Sequence, residues 1–336
     1  MGPREHLRRV RGAAPSEKRM REGLSLVIVL ALLSVGFGMM SDSFLSSASV
    51  SIIANQLPTA LTLAVAMTFV LVVGEIDLSI GSVLALSQAV IGVTMVQLGW
   101  SWPLAVGAGL MTGLLAGLVN GLIVVGWSLP SFIVTLGMME AARGGAYLVT
   151  GSRTQYIGPD IEWIADASWL GLSAPFICAV LLVVAAQTVL SRTVFGRYAT
   201  ATGTNQEAVR LAGIDTTRIK LTIFAMSGLL AGLAGVMQVS RLASADPNTG
   251  TGFELNAIAA AVIGGTRLMG GKGSVINTFL GVVIIGVLAS GLTQIGVQDP
   301  TKRLITGCVI VLAVIADFYR ERWTTRRSIA RTAPSS

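Results

Sequence analysis

Residues 74–82 read Gly-Glu-Ile-Asp-Leu-Ser-Ile-Gly-Ser and place two carboxylates between two long apolar stretches. Residues 43–74 and 78–139 contain no Asp, Glu, Lys or Arg. A charged side chain at bilayer depth costs about 2.5–3.5 kcal/mol, so carboxylates in membrane segments are seldom left facing lipid. We therefore expect this segment either to surface at a membrane face or to line a polar cavity.

The composition is that of a membrane protein. Of the 336 residues, 53% are hydrophobic and 12% are charged, whereas soluble domains carry about 25% charged residues. Nineteen of the 24 Lys and Arg residues fall in four segments, namely 1–23, 192–220, 267–272 and the tail from Arg320. Such clusters are typical of cytoplasmic segments, so both termini are predicted to be cytoplasmic. Nucleic acid is not an expected partner, because no nucleic-acid-binding motif accompanies the basic residues.

The apolar stretches predict an all-α fold, a polytopic transmembrane helical bundle of about ten spans (8–10) with discontinuous helices. The stretch at 255–266 is too short to cross a bilayer alone, so it forms either a half-helix or a longer segment that includes the glycine-rich residues after it. The predicted domains are a cytoplasmic basic tail (1–23), a membrane domain (24–320) that includes the cytoplasmic loop 192–220, and a cytoplasmic tail (321–336). The predicted spans are 24–40, 50–73, 79–98, 104–126, 129–149, 171–191, 219–240, 254–266, 275–297 and 303–319.

An internal repeat is predicted from two similar segments, residues 73–83 and 263–275. Glycine-interrupted segments at matching positions of duplicated halves are typical of a transporter site at the repeat interface. We predict that they face each other or a shared pathway as gating elements, with Arg267 and Lys272 as candidate cations for the two carboxylates. The residues assigned to gating are Gly74, Glu75, Asp77, Ser79, Gly81, Gly264, Gly265, Gly270 and Gly271.

The loop 192–220 contains a segment that predicts a short capped helix, residues 203–214. Thr204 and Glu207 have the spacing of a capping box, and Gly213 is suited to end the helix. Two interpretations follow from the residues alone: a docking element for a partner protein, or a solvated connector.

Polar residues inside the spans are candidates for a solute pathway, with hydrogen bonding between helices as the alternative. Glu140 and Arg143 lie three residues apart on one helical face and predict an internal ion pair. The other candidates are the amides Asn55, Gln56, Gln88, Asn120 and Asn256.

The sequence predicts neither an enzyme nor a metal site. Glycine-rich residues 264–273 do not match the phosphate-binding pattern of ATPases, so energy is expected from another chain or from an ion gradient. His6 is the only histidine. Cys178 and Cys308 lie in apolar stretches without a metal-binding spacing and are expected to be small core residues.

Five segments together resemble the permease subunits of bacterial ABC importers for ribose, xylose and arabinose, within the wider branched-chain amino acid and sugar permeases. They are residues 74–82, 130–137, 195–197, 205–214 and 259–275, and the resemblance extends over residues 24–320 in matching order.

The resemblance implies a multi-pass protein of the bacterial inner membrane. It also implies that the chain works as a permease dimer, either with a second copy of itself or with a close homologue. The other implied partners of the chain are cytoplasmic ATP-binding subunits, an extracytoplasmic sugar-binding protein and membrane lipid. The ATP-binding subunits, and not this chain, hold ATP and Mg²⁺. The resemblance also implies that the predicted helix is the coupling element, with Asn205, Glu207, Ala208, Arg210, Leu211, Gly213 and Ile214 facing the ATPase. The expected mechanism is alternating access driven by ATP.

The departures from this resemblance leave the sugar open. Glu75 stands where many such permeases carry glycine, Asn256 where aspartate is common, and Arg267 where a small polar residue is common. The alternative function is a self-sufficient secondary carrier or channel for a small polar solute, for which Glu75 and Asp77 could bind a proton or Na⁺.

Overall fold

The computed structural model describes residues 15–169, 171–309, 311–312 and 315, with side chains from Gly23 onward. Most of the predicted basic tail, the predicted tail 321–336 and part of the predicted span 303–319 lie outside the described residues. The helices are α1 Pro15–Met40, α2 Ser47–Gln56, α3 Pro58–Val72, α4 Ile80–Val96, α5 Trp102–Gly126, α6 Ser131–Thr150, α7 Pro159–Asp166, α8 Ala174–Arg192, α9 Val194–Thr204, α10 Gln206–Leu211, α11 Thr216–Leu242, α12 Phe253–Ile263, α13 Val275–Gln294 and α14 299–309.

Four two-residue strands form two small antiparallel pairs. β1 (Gln155–Tyr156) pairs with β4 (Ser244–Ala245), and β2 (Ser168–Trp169) pairs with β3 (Leu172–Ser173). The all-α class is therefore confirmed.

Five described helices are long and apolar enough to cross a membrane: α1, α5, α8, α11 and α13. The pair α2–α3 makes a sixth span if counted together, although it bends by 46°. Pro58 begins α3, and its missing N–H accounts for the bend, because a proline cannot continue the hydrogen-bond ladder of the preceding helix. The shorter helices α4 and α12, together with α6 and α14, correspond to the remaining predicted spans.

Helix α3 lies at the centre of the bundle. Fourteen of its 15 residues are buried, as expected for a helix that is apolar on every face. It packs against α8, α11, α12 and α13, and the hydroxyls of Thr68 and Thr278 are 2.9 Å apart within that core. By contrast, only 6% of the span in α1 is buried, so α1 lies on the outside of the described bundle.

Glycines let α5 and α11 approach closely. A Cβ atom on Gly113 or Gly117 would run into backbone atoms of Gly228 and Phe224. The glycines of α5 at four-residue spacing, namely Gly109, Gly113, Gly117 and Gly121, therefore serve helix packing, as small residues do in membrane bundles.

The segment between α11 and α12, residues 243–252, does not remain at the end of the bundle. It runs back along α4 from Gly92 to Gly81 and is called the descending segment below. Ala245 lies against Gly92, and Gly250 lies against Gly81 at the start of α4. Helix α12 begins at that level and runs antiparallel to α13, with Ala260 packed on Gly281. It is thus a half-helix of 11 residues that continues an irregular descending segment.

Arg143 stabilises this irregular segment. Its guanidinium donates hydrogen bonds of 2.7 Å to the carbonyls of Pro247 and Thr249, and Gln88 donates to the carbonyl of Asp246. Irregular backbone inside a membrane protein needs such partners, because lipid supplies none. The predicted Glu140–Arg143 ion pair is wrong: Glu140 is exposed, and the arginine is committed to carbonyl groups that the sequence places about a hundred residues away.

Candidate coupling and gating site

The first break, residues 74–82, lies where α3 ends and α4 begins. Gly74 ends α3 with φ of +81°, a left-handed conformation that glycine adopts without strain. The amides of Ile76 and Leu78 donate to Ser131 Oγ (3.0 Å) and Thr135 Oγ1 (3.1 Å) of α6. The break is therefore held against α6 by hydroxyl groups and is not an open loop.

Asp77 is buried in a network of hydroxyl and amide groups. Its side chain is 1% exposed and accepts hydrogen bonds from the Ser79 amide (3.0 Å) and the Ser79 hydroxyl (2.6 Å). Ser227 of α11 donates to the other carboxylate oxygen at 2.8 Å, and Asn120 of α5 donates to Ser79 Oγ at 2.9 Å. Both oxygens are satisfied by neutral groups, so this carboxylate joins α4, α5 and α11.

Glu75 forms an ion pair with Lys220 at the start of α11. The distance between Glu75 Oε1 and Lys220 Nζ is 2.5 Å, and the side chains are 12% and 13% exposed. The prediction that Arg267 and Lys272 supply the cations was wrong for Glu75 and for Asp77. Asp77 turns toward hydroxyl groups, and Glu75 points to the α11 side of the break.

The two predicted breaks contact each other. The second break, residues 264–274, forms a compact turn in which Arg267 N donates to Lys272 O at 3.0 Å. The amide of Gly271 donates to Val72 O at 2.9 Å. A Cβ atom on Gly270 would collide with the backbone of Gly74 and Gly203, so these glycines permit the contact. Among the other glycines assigned to gating, Gly264 packs on Asn277 of α13, and Gly265 takes φ of +79°.

The short helix α10 is present where the sequence predicts it, but its cap differs. Thr204 ends α9, and Asn205 is the N-cap, with its side chain accepting from the Ala208 amide at 3.0 Å. The cap moves because Asn205 takes the extended conformation (φ −158°) that separates the two helices. Glu207 pairs with Arg210 at 3.2 Å on the exposed side, and Gly213 (φ +81°) follows the end of the helix.

Helix α10 presents most of its surface outward. Val209 is its one buried residue, whereas Leu211 is 80% exposed. A six-residue helix with a single buried side chain gains little from packing in this chain. Its exposed face is available to another surface.

The polar pathway candidates separate into two groups. Asn55 binds the backbone of Gly171 and Ser173, while Gln88 and Asn120 are buried between helices. Gln56 and Asn256 instead line a cavity of about 190 Å³ between α2–α3, α12 and α13, together with Phe253. Within the described residues, neither amide side chain has a protein hydrogen-bond partner.

Neither cysteine is a core residue, contrary to expectation: Cys178 and Cys308 are both exposed on the described bundle. In the portion of the chain that the structure describes, no group of His, Cys, Asp and Glu side chains could hold a metal ion.

The structure is a bundle of apolar helices that contains a half-helix, two glycine breaks in contact and an exposed capped helix. This combination defines a multi-pass membrane permease. The chain belongs to the family described as branched-chain amino acid transport system / permease component, which matches residues 49–314. Members of this family are transport components rather than enzymes.

Three relatives illustrate the similarity. The ribose import permease protein RbsC of Escherichia coli (strain K12) is 38% identical over 303 residues, covering 89% of this chain and 94% of the relative. The L-arabinose ABC transporter permease protein AraH of Azospirillum brasilense is 35% identical, covering 88% and 87%. The fructose import permease protein FrcC of Rhizobium meliloti is 33% identical, covering 87% and 84%. No solved structure matches the chain significantly.

Proposed function

We propose that this chain is the transmembrane permease subunit of an ABC importer for a monosaccharide. An extracytoplasmic binding protein delivers the sugar, and separate subunits that bind ATP and Mg²⁺ supply the energy. The observation that carries the proposal is the similarity to permeases named for ribose, arabinose and fructose over nearly nine tenths of the chain. A second permease copy completes the pathway, as a homodimer or with a close homologue.

The charge distribution orients the chain in the inner membrane of a bacterium. Basic residues that include Arg192, Arg197, Arg210 and Arg218 surround α9 and α10, and basic connections are retained in the cytoplasm. This end of the bundle, here called the basic end, therefore faces the cytoplasm. Both termini lie on the same side in this arrangement.

Helix α10 is the coupling element in this proposal. The exposed Leu211 and the charged pair Glu207–Arg210 offer an apolar and a polar contact to a cleft in the ATP-binding subunit. Asn205, Ala208, Gly213 and Ile214 shape and end the helix. Closure of the ATP-binding subunits on ATP moves α10, and the helices around the two breaks rock in response.

The cavity beside α12 supports a route for a sugar. Gln56 and Asn256 bring two unpaired amides into it, and Phe253 supplies an aromatic face. Amides can both donate to and accept from sugar hydroxyls. The remaining lining includes small residues that leave room for a solute, namely Ala60, Ala257, Ala260, Gly286 and Ala289.

Reconstitution tests the proposal. The permease, the ATP-binding subunit and the binding protein are placed in liposomes, and uptake of labelled ribose, arabinose, xylose and fructose is measured. We expect uptake of one of these sugars only with all three proteins and ATP. Uptake by the permease alone, driven by a proton or Na⁺ gradient, would instead identify a self-sufficient carrier.

Variants of the cavity test the route. Gln56→Ala and Asn256→Ala each remove one amide and are expected to lower uptake about three- to tenfold, the equivalent of one hydrogen bond. Gln97→Ala is the matched control, because Gln97 lies at the carboxyl end of α4, outside the cavity, and contacts Gln155. Uptake unchanged in the double variant would remove the cavity from the pathway.

A further inference from the structure

Lys220 contacts both the first break and helix α10. Its ammonium lies 2.5 Å from Glu75 Oε1 and donates a 2.7 Å hydrogen bond to Gln206 Oε1, on the first residue of α10. We propose that Lys220 is a positioning residue that transmits displacement of α10 to the first break. This inference rests on the proposed function, because it needs a partner that moves α10.

The contacts of α10 make this link specific. Glu207 and Arg210 pair with each other, and Asn205 caps its own helix. Among the described residues, Lys220 is thus the one side chain outside α10 that hydrogen-bonds a side chain of α10. Within the described part of the chain, a displacement of α10 that is transmitted by a hydrogen bond between side chains passes through Lys220.

The other end of the link is anchored at a junction in the backbone. Glu75 follows Gly74, whose left-handed conformation ends α3, and the Glu75 amide donates to Val70 O at 3.1 Å. Lys220 itself lies in the second turn of α11, a helix of 27 residues. A shift of the ammonium therefore acts on the point where the central helix α3 gives way to the break.

Space for such a shift exists beside the ion pair. A cavity of about 370 Å³ is lined by Glu75, Gln206, Arg210 and Lys220, together with the connection between α5 and α6. A close-packed interior would hold these side chains in one arrangement. The cavity allows the long lysine side chain to follow Gln206 without collision.

The competing explanation is that the ion pair has a purely structural role. Substitutions that remove the contact of Lys220 with Gln206 alone, or both of its contacts, distinguish the two explanations. Gln206→Ala removes only the hydrogen bond to α10. Lys220→Met removes both that hydrogen bond and the ion pair with Glu75, while it keeps an apolar side chain of similar length. The charge swap Glu75→Lys with Lys220→Glu restores the ion pair, and the Gln206 amide can then donate to the new carboxylate. Arg218→Met is the control, since Arg218 lies two residues before Lys220 on the same helix and pairs with Asp215 while 87% exposed.

The experiment measures ATPase activity of the reconstituted complex with and without the sugar-loaded binding protein, and thermal unfolding of each variant. Lys220→Met and Gln206→Ala are expected to lower the ratio of stimulated to basal activity about fivefold or more, the lower end of typical coupling between sites. The charge swap is expected to recover most of that ratio, and Arg218→Met to keep it.

Two outcomes would overturn the link. In one, Gln206→Ala and Lys220→Met keep the wild-type ratio; in the other, the ratio falls only in proportion to thermal stability and the charge swap does not restore it. Failure of the proposed function looks different, because the wild-type complex itself would then show no stimulation by any sugar.

Discussion

Ser227 of α11 donates a 2.8 Å hydrogen bond to Asp77, a residue 150 positions earlier in the chain. Seven residues before Ser227, about two helical turns away, Lys220 of the same helix pairs with Glu75. Helix α11 therefore holds both carboxylates of the first break along one of its faces. The break and α11 are expected to move together.

Replacing Asp77 tests the buried network. Asp77→Ala leaves the hydroxyls of Ser79 and Ser227 without their acceptor and is expected to lower the free energy of unfolding by about 1–3 kcal/mol. Asp77→Asn keeps the shape and one acceptor oxygen, so its effect is expected to be smaller. Thermal unfolding in detergent measures both, with the exposed Asp160→Ala as control. Equal stability of all three variants would contradict the network.

The close contact between α5 and α11 limits the size of the side chain that position 117 can hold. Gly117→Val forces a side chain into the backbone of α11 and is expected to cost at least about 1–3 kcal/mol, as overpacking does. Gly107→Val on the same helix is the control, because nothing lies within 4 Å of a Cβ atom there. The yield of monodisperse protein and its melting temperature are measured. A normal melting temperature for Gly117→Val would show that the helices are not in close contact.

Arg143 and Glu140 are expected to respond differently to substitution. Arg143→Met removes two hydrogen bonds from a charged donor to the descending segment and is expected to cost about 1.5–3 kcal/mol or more. Glu140→Gln changes an exposed group and is expected to stay within about 0.5 kcal/mol. A double-mutant cycle on unfolding should give a coupling near zero. An ion pair between the two residues would instead produce a clear coupling.

The exposed side of α10 predicts a docking defect without a folding defect. Leu211→Ser replaces an 80% exposed leucine and is expected to reduce co-purification of the ATP-binding subunit while the melting temperature is unchanged. Leu148→Ser, at an 85% exposed position of α6, is the control at the opposite end of the bundle. Undiminished co-purification of the Leu211 variant would exclude this residue from the docking surface.

Much of the fold could be predicted from the sequence, because apolar length is a local property. The short apolar run at 255–266 allowed a half-helix as one of two alternatives, and α12 is one. The glycines at four-residue spacing in α5 are likewise a local pattern, typical of close contact between membrane helices. The bend between α2 and α3 was missed, although Pro58 was a visible signal. The N-cap was assigned one residue too early, because Thr204 and Asn205 are both suitable caps and only the backbone conformation decides between them.

The partners within the site could not be predicted, because they come from distant parts of the chain. Spacing on one helix suggested Glu140 for Arg143, whereas the true acceptors are carbonyls of a segment that no helical pattern marks. Opposite charge suggested Arg267 and Lys272 for Glu75, yet Lys220 of the predicted coupling loop lies beside it. Only packing brings Gln56 and Asn256 to one cavity.

The buried position of α3 has a consequence for the order of synthesis. Its partner Thr278 is made 210 residues after Thr68, which takes about 10–40 s at typical translation rates. Thr62 and Thr68 also donate to carbonyls of their own helix, at 2.9 Å and 2.7 Å. The hydroxyls of these two threonines thus have acceptors on α3 itself, so the helix can remain in lipid during synthesis until its last neighbour emerges.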